Sequence, residues 1–392
     1  MKKRKILILG GGYYQLPLIK KSRELGYYTI VCGISGNYPG YKFADKWYDV
    51  DIFDKNSILD IATREKIDGI CVCGTDSVLP TLGYIVDELH LKGPCYESSV
   101  ISSNKALMKE QFVRYGVRTA KYKKVFSKIE CVNFINENNF PVVLKVVDAS
   151  GSKGIAIVNT QEEFDKFYPE IINQTKQDYL IIEEFIEGEE FGAQSFVKNG
   201  ALTFVMPHGD IVFKGNTGVP VGHYAPYEKG KESIDDITEQ INRCVKALKI
   251  DNAAINADFI LKDGLVYVLE IGARAGATCL PELVSCYYGI DYYEYLLKSC
   301  LGEDIEFSCS RKTPSWVETL ISEKSGVVDS IQIPKLPSNV VEFELYPKVG
   351  DMVRKFENAY DRIGHIVMEG NDLNELYEQV SNLKSSIKLH LK

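Results

Sequence analysis

Asn256-Ala-Asp258-Phe-Ile-Leu-Lys262-Asp263-Gly264-Leu265-Val-Tyr-Val-Leu-Glu270-Ile-Gly272-Ala-Arg274 consists of two apolar runs joined by a Lys-Asp-Gly turn, each run carrying one carboxylate. A carboxylate in such a run is costly to bury unless a cation or a hydrogen-bond network compensates it. Arg274 follows where the second strand ends. Two acids facing one point, with a fixed cation beside them, suit a divalent metal that carries nucleotide phosphates. Parity tests whether they do. A two-residue Asp263-Gly264 turn would pair Asp258 with Leu269 and send the acids to opposite faces. A three-residue turn, Lys262-Asp263-Gly264 with Gly264 left-handed, shifts the register by one and puts both acids on one face. The three-residue turn is the expectation, with solvent-facing acids on an edge hairpin as the alternative.

Working outward toward the N-terminus, Lys145 sits in Pro141-Val-Val-Leu-Lys-Val-Val147, flanked by aliphatics. A lysine buried there needs an anion, and a nucleotide phosphate would serve. The run Ser150-Gly151-Ser152-Lys153-Gly154 follows, small and rich in N–H and hydroxyl donors. It could fold over phosphates, and a plain hairpin loop is the alternative. In Tyr179–Phe191 a strand ends in Glu183-Glu184, and a turn at Gly188 leads to Glu189-Glu190 and another strand. The segment reads either as a hinge with solvated charges, or as backbone for an adenine edge with an acid for ribose hydroxyls.

The chain has 392 residues, enough for two or three domains and a large core. A net charge of −8 argues against nucleic acid as the main partner. The apolar run Ile6–Leu9 is too short for a signal peptide, and no segment approaches a membrane span, so a cytoplasmic protein is expected. The ten cysteines have no zinc spacing and read as buried, reduced thiols.

Strand and helix alternate over the first hundred residues. Lys5–Leu9, Tyr28–Cys32 and Gly69–Cys73 read as strands and Tyr14–Leu25 as a helix, implying a small parallel sheet. Gly10-Gly11-Gly12 invites a dinucleotide-binding reading. The third fingerprint position is Gln15, and no acid ends the second strand, which leaves a nicotinamide oxidoreductase as an outsider. Thr75-Asp76, at the end of a buried strand, points to the same crevice. A helix capped by Ser102, Ser103 or Asn104 runs to about Tyr115, and an amphipathic helix lies between Asp235 and Leu248. The tail mixes β-like runs with a final helix bearing Leu373, Leu376, Tyr377, Val380, Leu383 and Ile387 on one face. His223, in Val219-Pro-Val-Gly-His-Tyr-Ala-Pro226, and His208 fall in what reads as a Gly/Pro-rich loop. His223 could deprotonate an incoming amine, or be a structural loop histidine.

The order Lys105, Lys145, Ser150–Gly154, Glu183-Glu184-Phe185-Ile186, Gly188-Glu189-Glu190-Phe191, Asp258, Glu270, Arg274 resembles that of the ATP-grasp ligases, in the carboxylate–amine ligase and biotin-carboxylase-like branch. The opening Gly10–Pro17 and the tail segments Gly326-Val-Val, Gly350-Asp-Met-Val and Arg362–Met368 resemble that branch too, so the likeness covers nearly the whole chain. It implies an α/β (α+β ATP-grasp) fold. Residues 1–102 would form a Rossmann-like pre-ATP-grasp domain. Residues 103–308 would form a two-lobed ATP-grasp core with a mobile lid lobe at about 118–188, and residues 309–392 a small C-terminal α+β domain.

Carried over residue by residue, the resemblance gives Lys105 and Lys145 the ATP phosphates, with Ser150, Gly151, Ser152, Lys153 and Gly154 closing over them. It gives Glu184 and Ile186 the adenine through backbone, Glu183 a supporting role, Glu190 the ribose, and Asp258 and Glu270 the Mg²⁺ (or Mn²⁺). Arg274 would stabilise an acyl phosphate and its tetrahedral successor. The implied protein is an ADP-forming ligase joining a small carboxylate to an amine, with a homodimer common in the branch. A bicarbonate-using carboxylase and a non-catalytic ATP-binding module are the competing readings. Two departures stand out: Gly272 replaces the asparagine that many members place two residues after the second metal acid, and Asn256 stands where the D-alanine ligase branch has arginine.

Overall fold

The computed structural model describes residues 3–148, 154–213, 219–358 and 361–392. Two compact units emerge. The first comprises Met1–Val205, Glu232–Ala275 and Tyr293–Ile305; the second comprises Met206–Lys231, Gly276–Tyr292 and Glu306–Lys392.

The first unit begins with a parallel four-stranded sheet in the order Lys46–Asp49, Tyr28–Gly33, Lys5–Leu9, Gly69–Cys71. Ile6, Leu7 and Ile8 are fully buried, as expected of a strand covered on both faces, and their unbroken apolar run is what made it legible. Lys46–Asp49 was not foreseen, because Lys-Trp-Tyr-Asp is an exposed edge without an apolar run. The first helix spans Leu16–Glu24, shorter than expected, with proline in its opening turn.

A second, antiparallel sheet orders Tyr122–Val125, Leu180–Glu184, Val142–Lys145 and Ile155–Val158. Val142, Leu144, Leu180 and Ile182 point into a core with Phe134 and Ile135 of helix Lys128–Asn138 and Phe164 and Ile171 of helix Gln161–Ile172. By strand alternation Lys145 and Glu183 share the opposite face. The register Val143↔Glu183 and Lys145↔Ile181 makes them diagonal neighbours.

A third sheet pairs Glu189–Lys198 with Ala253–Lys262, and that strand with Leu265–Gly272. Helix Ile234–Leu248 buries Ile237, Ile241, Val245 and Leu248, the stripe its periodicity marked. Helix Lys105–Arg114 is capped by Asn104, whose Oδ1 accepts from the N–H groups of Ala106 and Leu107 at 3.0 and 3.2 Å.

In the second unit an antiparallel sheet runs from the end of Ala201–Val212 through Pro220–Ala225, Ser315–Leu320 and Gly364–Glu369 to Val340–Leu345. The stretch around His208 and His223 is therefore strand, contrary to the loop expected from its glycines and prolines. Pro220 stands at a strand start and Gly222 where a Cβ would collide with Val317 O, so both tolerate the sheet. The final helix, Leu373–Ser386, packs Leu376, Val380 and Leu383 on Trp316 and Ile366, while Tyr377 is exposed. No helix among the described residues is long and apolar enough to cross a membrane.

Candidate active site

The Asp258–Glu270 hairpin reaches its geometry by a route other than the expected one. Its turn has two residues, Asp263 (φ +50°) and Gly264 (φ +76°), both left-handed, and Lys262 pairs with Leu265. With that turn alone Asp258 would face Leu269. A β-bulge intervenes: Phe259 pairs with Val268 but Asp258 pairs with Glu270, so Leu269 is the extra residue. The bulge supplies the one-residue shift that the three-residue turn was meant to supply. Both acids stand on one face, and Gly192 lies opposite Asp258 on the neighbouring strand.

Cations surround this face. Lys105 Nζ lies 2.9 Å from Glu270 Oε2. Burial alone would push its ammonium down, but Glu270, with Asp76 and Asp258 behind it, holds it above the ordinary lysine range. Arg274 Nη2 donates to Asp76 Oδ2, which arrives from the loop after the Gly69–Cys71 strand. Here too burial is outweighed by the carboxylates, Asp76 first and then Asp258 and Glu270, and the guanidinium is held above its usual value.

Lys145 Nζ lies 2.9 Å from Glu183 Oε2, and a lysine the sequence reading missed, Lys109, lies 3.3 Å from Glu183 Oε1. Glu183 is 1% exposed and Lys109 2%. Burial opposes ionisation of Glu183, yet Lys109 and Lys145 hold it below the ordinary carboxylate range. Lys109 stands four residues after Lys105, one helical turn along the same helix face. That spacing, with a buried Glu183 too central for one cation, was the signal available. Lys109 also donates to Thr119 Oγ1 at 2.6 Å.

Burial, only partly offset by Glu183, pushes the Lys109 ammonium down to about 8. As pH rises through that value Lys109 loses its proton, and Glu183 with its two lysines passes from net positive to neutral. Affinity for a polyanionic nucleotide should therefore fall with rising pH. Calorimetric titration of ADP at about pH 7 and about pH 9 is expected to show roughly tenfold weaker binding at the higher value. Lys109→Met should flatten that difference; an unchanged pH profile in the variant would remove Lys109 from the site.

Beside the charges lies an apolar patch: Ile186 and Ala120 pack with Ile260, Tyr267 and Leu269. The bulge is what brings Leu269 to the same side as Glu270. Glu190 pairs with Ile260, two residues along from the partner of Asp258, and so stands on the same face at its exposed rim. Glu184 Oε1 accepts from Lys121 N–H at 2.9 Å. Gly154 is described, left-handed at φ +66° with no room for a Cβ against Val146; Ser150, Gly151, Ser152 and Lys153 lie outside the described residues.

His223 is not with these groups in the first unit. It lies in the second, 3% exposed, with Nδ1 2.6 Å from Asp210 Oδ1. His208 Nδ1 lies 3.0 Å from the same oxygen. Burial pushes the His223 imidazole below its ordinary value despite Asp210, so the ring is neutral near pH 7. Its Nε2 is buried with no hydrogen-bond partner among the described residues. Asp210, itself held low by the two histidines against burial, is a residue that sequence reasoning passed over.

The donor set fits Mg²⁺. Asp258 and Glu270 offer hard carboxylate oxygens from directly opposed positions, and the site's own cations, Lys105 and Arg274, already mark where positive charge is stabilised. The carboxylates Asp76, Glu183, Asp258 and Glu270 balance Lys105, Lys109, Lys145 and Arg274. Divalent cations would offset the negative charge that a polyphosphate adds to a site so balanced.

Comparison with known proteins agrees with this geometry. Residues 103–278 match the phosphoribosylglycinamide synthetase ATP-grasp (A) domain, and residues 318–392 match the L-amino acid ligase C-terminal domain 2. The crystal structure of phosphoribosylglycinamide synthetase from Anaerococcus prevotii is 34% identical and superposes over the whole of both chains with a TM-score of 0.86. The L-amino acid ligase from Bacillus licheniformis, 19% identical, shares the fold over the whole of both chains with a TM-score of 0.85. The phosphoribosylamine–glycine ligase of Fusobacterium nucleatum is 26% identical over 327 residues, covering 77% of this chain and 74% of that protein. The chain belongs to the ATP-grasp ligases. The mixed α/β architecture expected from the sequence is the one found.

Proposed function

We propose that this ATP-grasp ligase is ADP-forming, activates a small-molecule carboxylate as an acyl phosphate and joins it to an amine. The observation that carries the reading is the direct opposition of Asp258 and Glu270, with Lys105 on one of them and Arg274 alongside. The likeness to a phosphoribosylamine–glycine ligase and an L-amino acid ligase supports an amino acid as the carboxylate substrate.

In the first step a carboxylate oxygen of the substrate forms a bond to the γ-phosphorus while the bond to the β,γ-bridging oxygen breaks, leaving ADP and an acyl phosphate. Lys105 and Lys145 bind the phosphates, Glu183, shared with Lys109, holds Lys145 in place, and the patch of Ile186, Ile260 and Leu269 receives the adenine. Glu184 and Ile186 meet its edge through backbone, and Glu190 takes the ribose. Asp258 and Glu270 would hold Mg²⁺ or Mn²⁺, which when bound offsets phosphate charge. In the second step the amine nitrogen attacks the acyl carbon, phosphate leaves, and Arg274 stabilises the developing oxyanion. The nitrogen must lose a proton. His223 is proposed as its acceptor on chemical grounds: Asp210 fixes the Nδ1–H tautomer, which leaves a neutral Nε2 with a free lone pair.

The division at 102/103 and 308/309, with a lid at about 118–188, is part of the proposal. The matches at 103–278 and 318–392 fall inside its second and third parts, while the two compact units cut across it. A homodimer in the cytoplasm belongs to the same reading.

The test is ADP release with pooled carboxylates and amines, followed by mass analysis of the product. Release should require carboxylate, ATP and Mg²⁺ together, and ADP with Mg²⁺ should raise the melting temperature. At saturating nucleotide a melting curve that does not move would count against the whole assignment. Bicarbonate-dependent release would favour the carboxylase reading instead.

A further inference from the structure

We propose, resting on the ligase reading above, that Asp76 is a specificity-determining residue: it receives the amino group of an amino acid whose carboxylate passes to Arg274. Asp76 stands beside Arg274 because both chain segments are pinned. Cys73 bridges to Ala275, and Gly74 N–H donates to Ala275 O at 3.1 Å. Gln15 Nε2 donates to Cys73 O at 2.7 Å and to Thr75 Oγ1 at 3.3 Å, holding the loop from the other side. The triple glycine that mimics a dinucleotide site thus precedes a residue that braces this loop.

The Asp76–Arg274 pair has one unmet group at each end. Asp76 Oδ2 accepts from Arg274 Nη2, but Asp76 Oδ1 is buried with no hydrogen-bond partner among the described residues. Arg274 Nη1 donates to Ala275 O at 3.2 Å, but Arg274 Nε is buried with none among the described residues. A ligand that meets both must offer a donor to the carboxylate and an acceptor to the guanidinium. An ammonium and a carboxylate on one small molecule do this, and an amino acid carries both. Within the pair the two side chains neutralise each other, each standing in for the ligand group its partner would bind; turning the Asp76 carboxylate about its Cβ–Cγ bond presents Oδ1.

Gly272 belongs to the same device. A Cβ built there would collide with Asp76 Oδ1, so a side chain at 272 would make the carboxylate shift. A divalent metal is the other species that could meet Asp76 Oδ1, and it fits less well. Oδ2 already carries a guanidinium, which repels a dication.

The experiment traps the acyl phosphate with hydroxylamine and compares each amino acid with its des-amino counterpart: glycine with acetate, alanine with propionate, phenylalanine with 3-phenylpropionate, aspartate with succinate. The native protein should favour the amino form. Asp76→Asn, which keeps shape and loses charge, and Asp76→Ala should each reduce that preference at least about tenfold through the KM of the amino acid. Turnover of the des-amino acid should fall less than that of its amino counterpart in every pair. Equal losses for both members of a pair would overturn the proposal and make Asp76 a positioning residue for Arg274. So would a retained preference accompanied by weaker Mn²⁺ binding to the ADP-loaded protein, read by electron paramagnetic resonance, or an effect confined to the KM of the acceptor amine. A native protein that treats amino and des-amino acids alike sinks this inference alone. One that forms neither hydroxamate nor ADP with any carboxylate sinks the ligase reading, and this inference with it.

Discussion

Glu270→Gln is expected to lower ATP turnover about a thousandfold, roughly 4 kcal/mol of barrier, because it removes half of the paired carboxylates proposed to hold Mg²⁺. The substitution keeps shape and hydrogen-bonding capacity, so the hairpin and its bulge should persist. It also releases Lys105, whose ammonium now lies 2.9 Å from Glu270. Affinity for ADP in the absence of divalent ions should therefore be retained or increased, while the additional affinity contributed by Mg²⁺ should vanish. Calorimetric titration with and without Mg²⁺ separates the two. Turnover at the native level, or an equal loss of nucleotide affinity with and without metal, would show that Glu270 does not serve the cation.

Arg274→Ala is the second large effect. Losing one donor to a developing oxyanion typically lowers kcat by about a hundred- to a thousandfold, and the KM of ATP should change little. The same substitution leaves Asp76 without its buried partner, which typically costs about 3–5 kcal/mol of stability. The two consequences can be separated. Adding Asp76→Asn to Arg274→Ala should restore most of the melting temperature and none of the turnover. Recovery of turnover in the double variant would show that Arg274 acts through folding alone, and equal losses in kcat and ATP affinity would move it to ground-state nucleotide binding.

Much of this site could be read along the chain because its parts lie in strands that announce themselves. Lys145 and Glu183 are charged residues inside apolar runs, and burying either demands a partner of opposite sign; both were found, on each other. The run Ser102-Ser103-Asn104 marked a helix start, and the structure puts the cap on the last of the three. Lys109 escaped because one lysine among polar helix residues looks solvent-facing until Glu183 is seen beside it. The strands around His208 and His223 escaped because proline and glycine normally end strands, and here they stand at a strand start and at a close strand approach.

The hairpin shows where the boundary falls. Its two acids, its turn residues and the arginine after it were determined by local chemistry: Asp-Gly tolerates two left-handed residues, and a carboxylate in an apolar strand calls for a cation. Its register was not, because a two-residue turn and a bulge, or a three-residue turn alone, place Asp258 and Glu270 on the same face. Only packing selects between them, here by bringing Leu269 onto Ile186 and Ile260 while Val268 stays buried on the other face. Gly272 follows the same rule. As sequence it was a missing asparagine; in the folded chain it is the space that admits Asp76 from 196 positions upstream. Local propensity specifies strands, turns and caps, but which side chains meet across such separations depends on the burial that ordering the whole chain makes available.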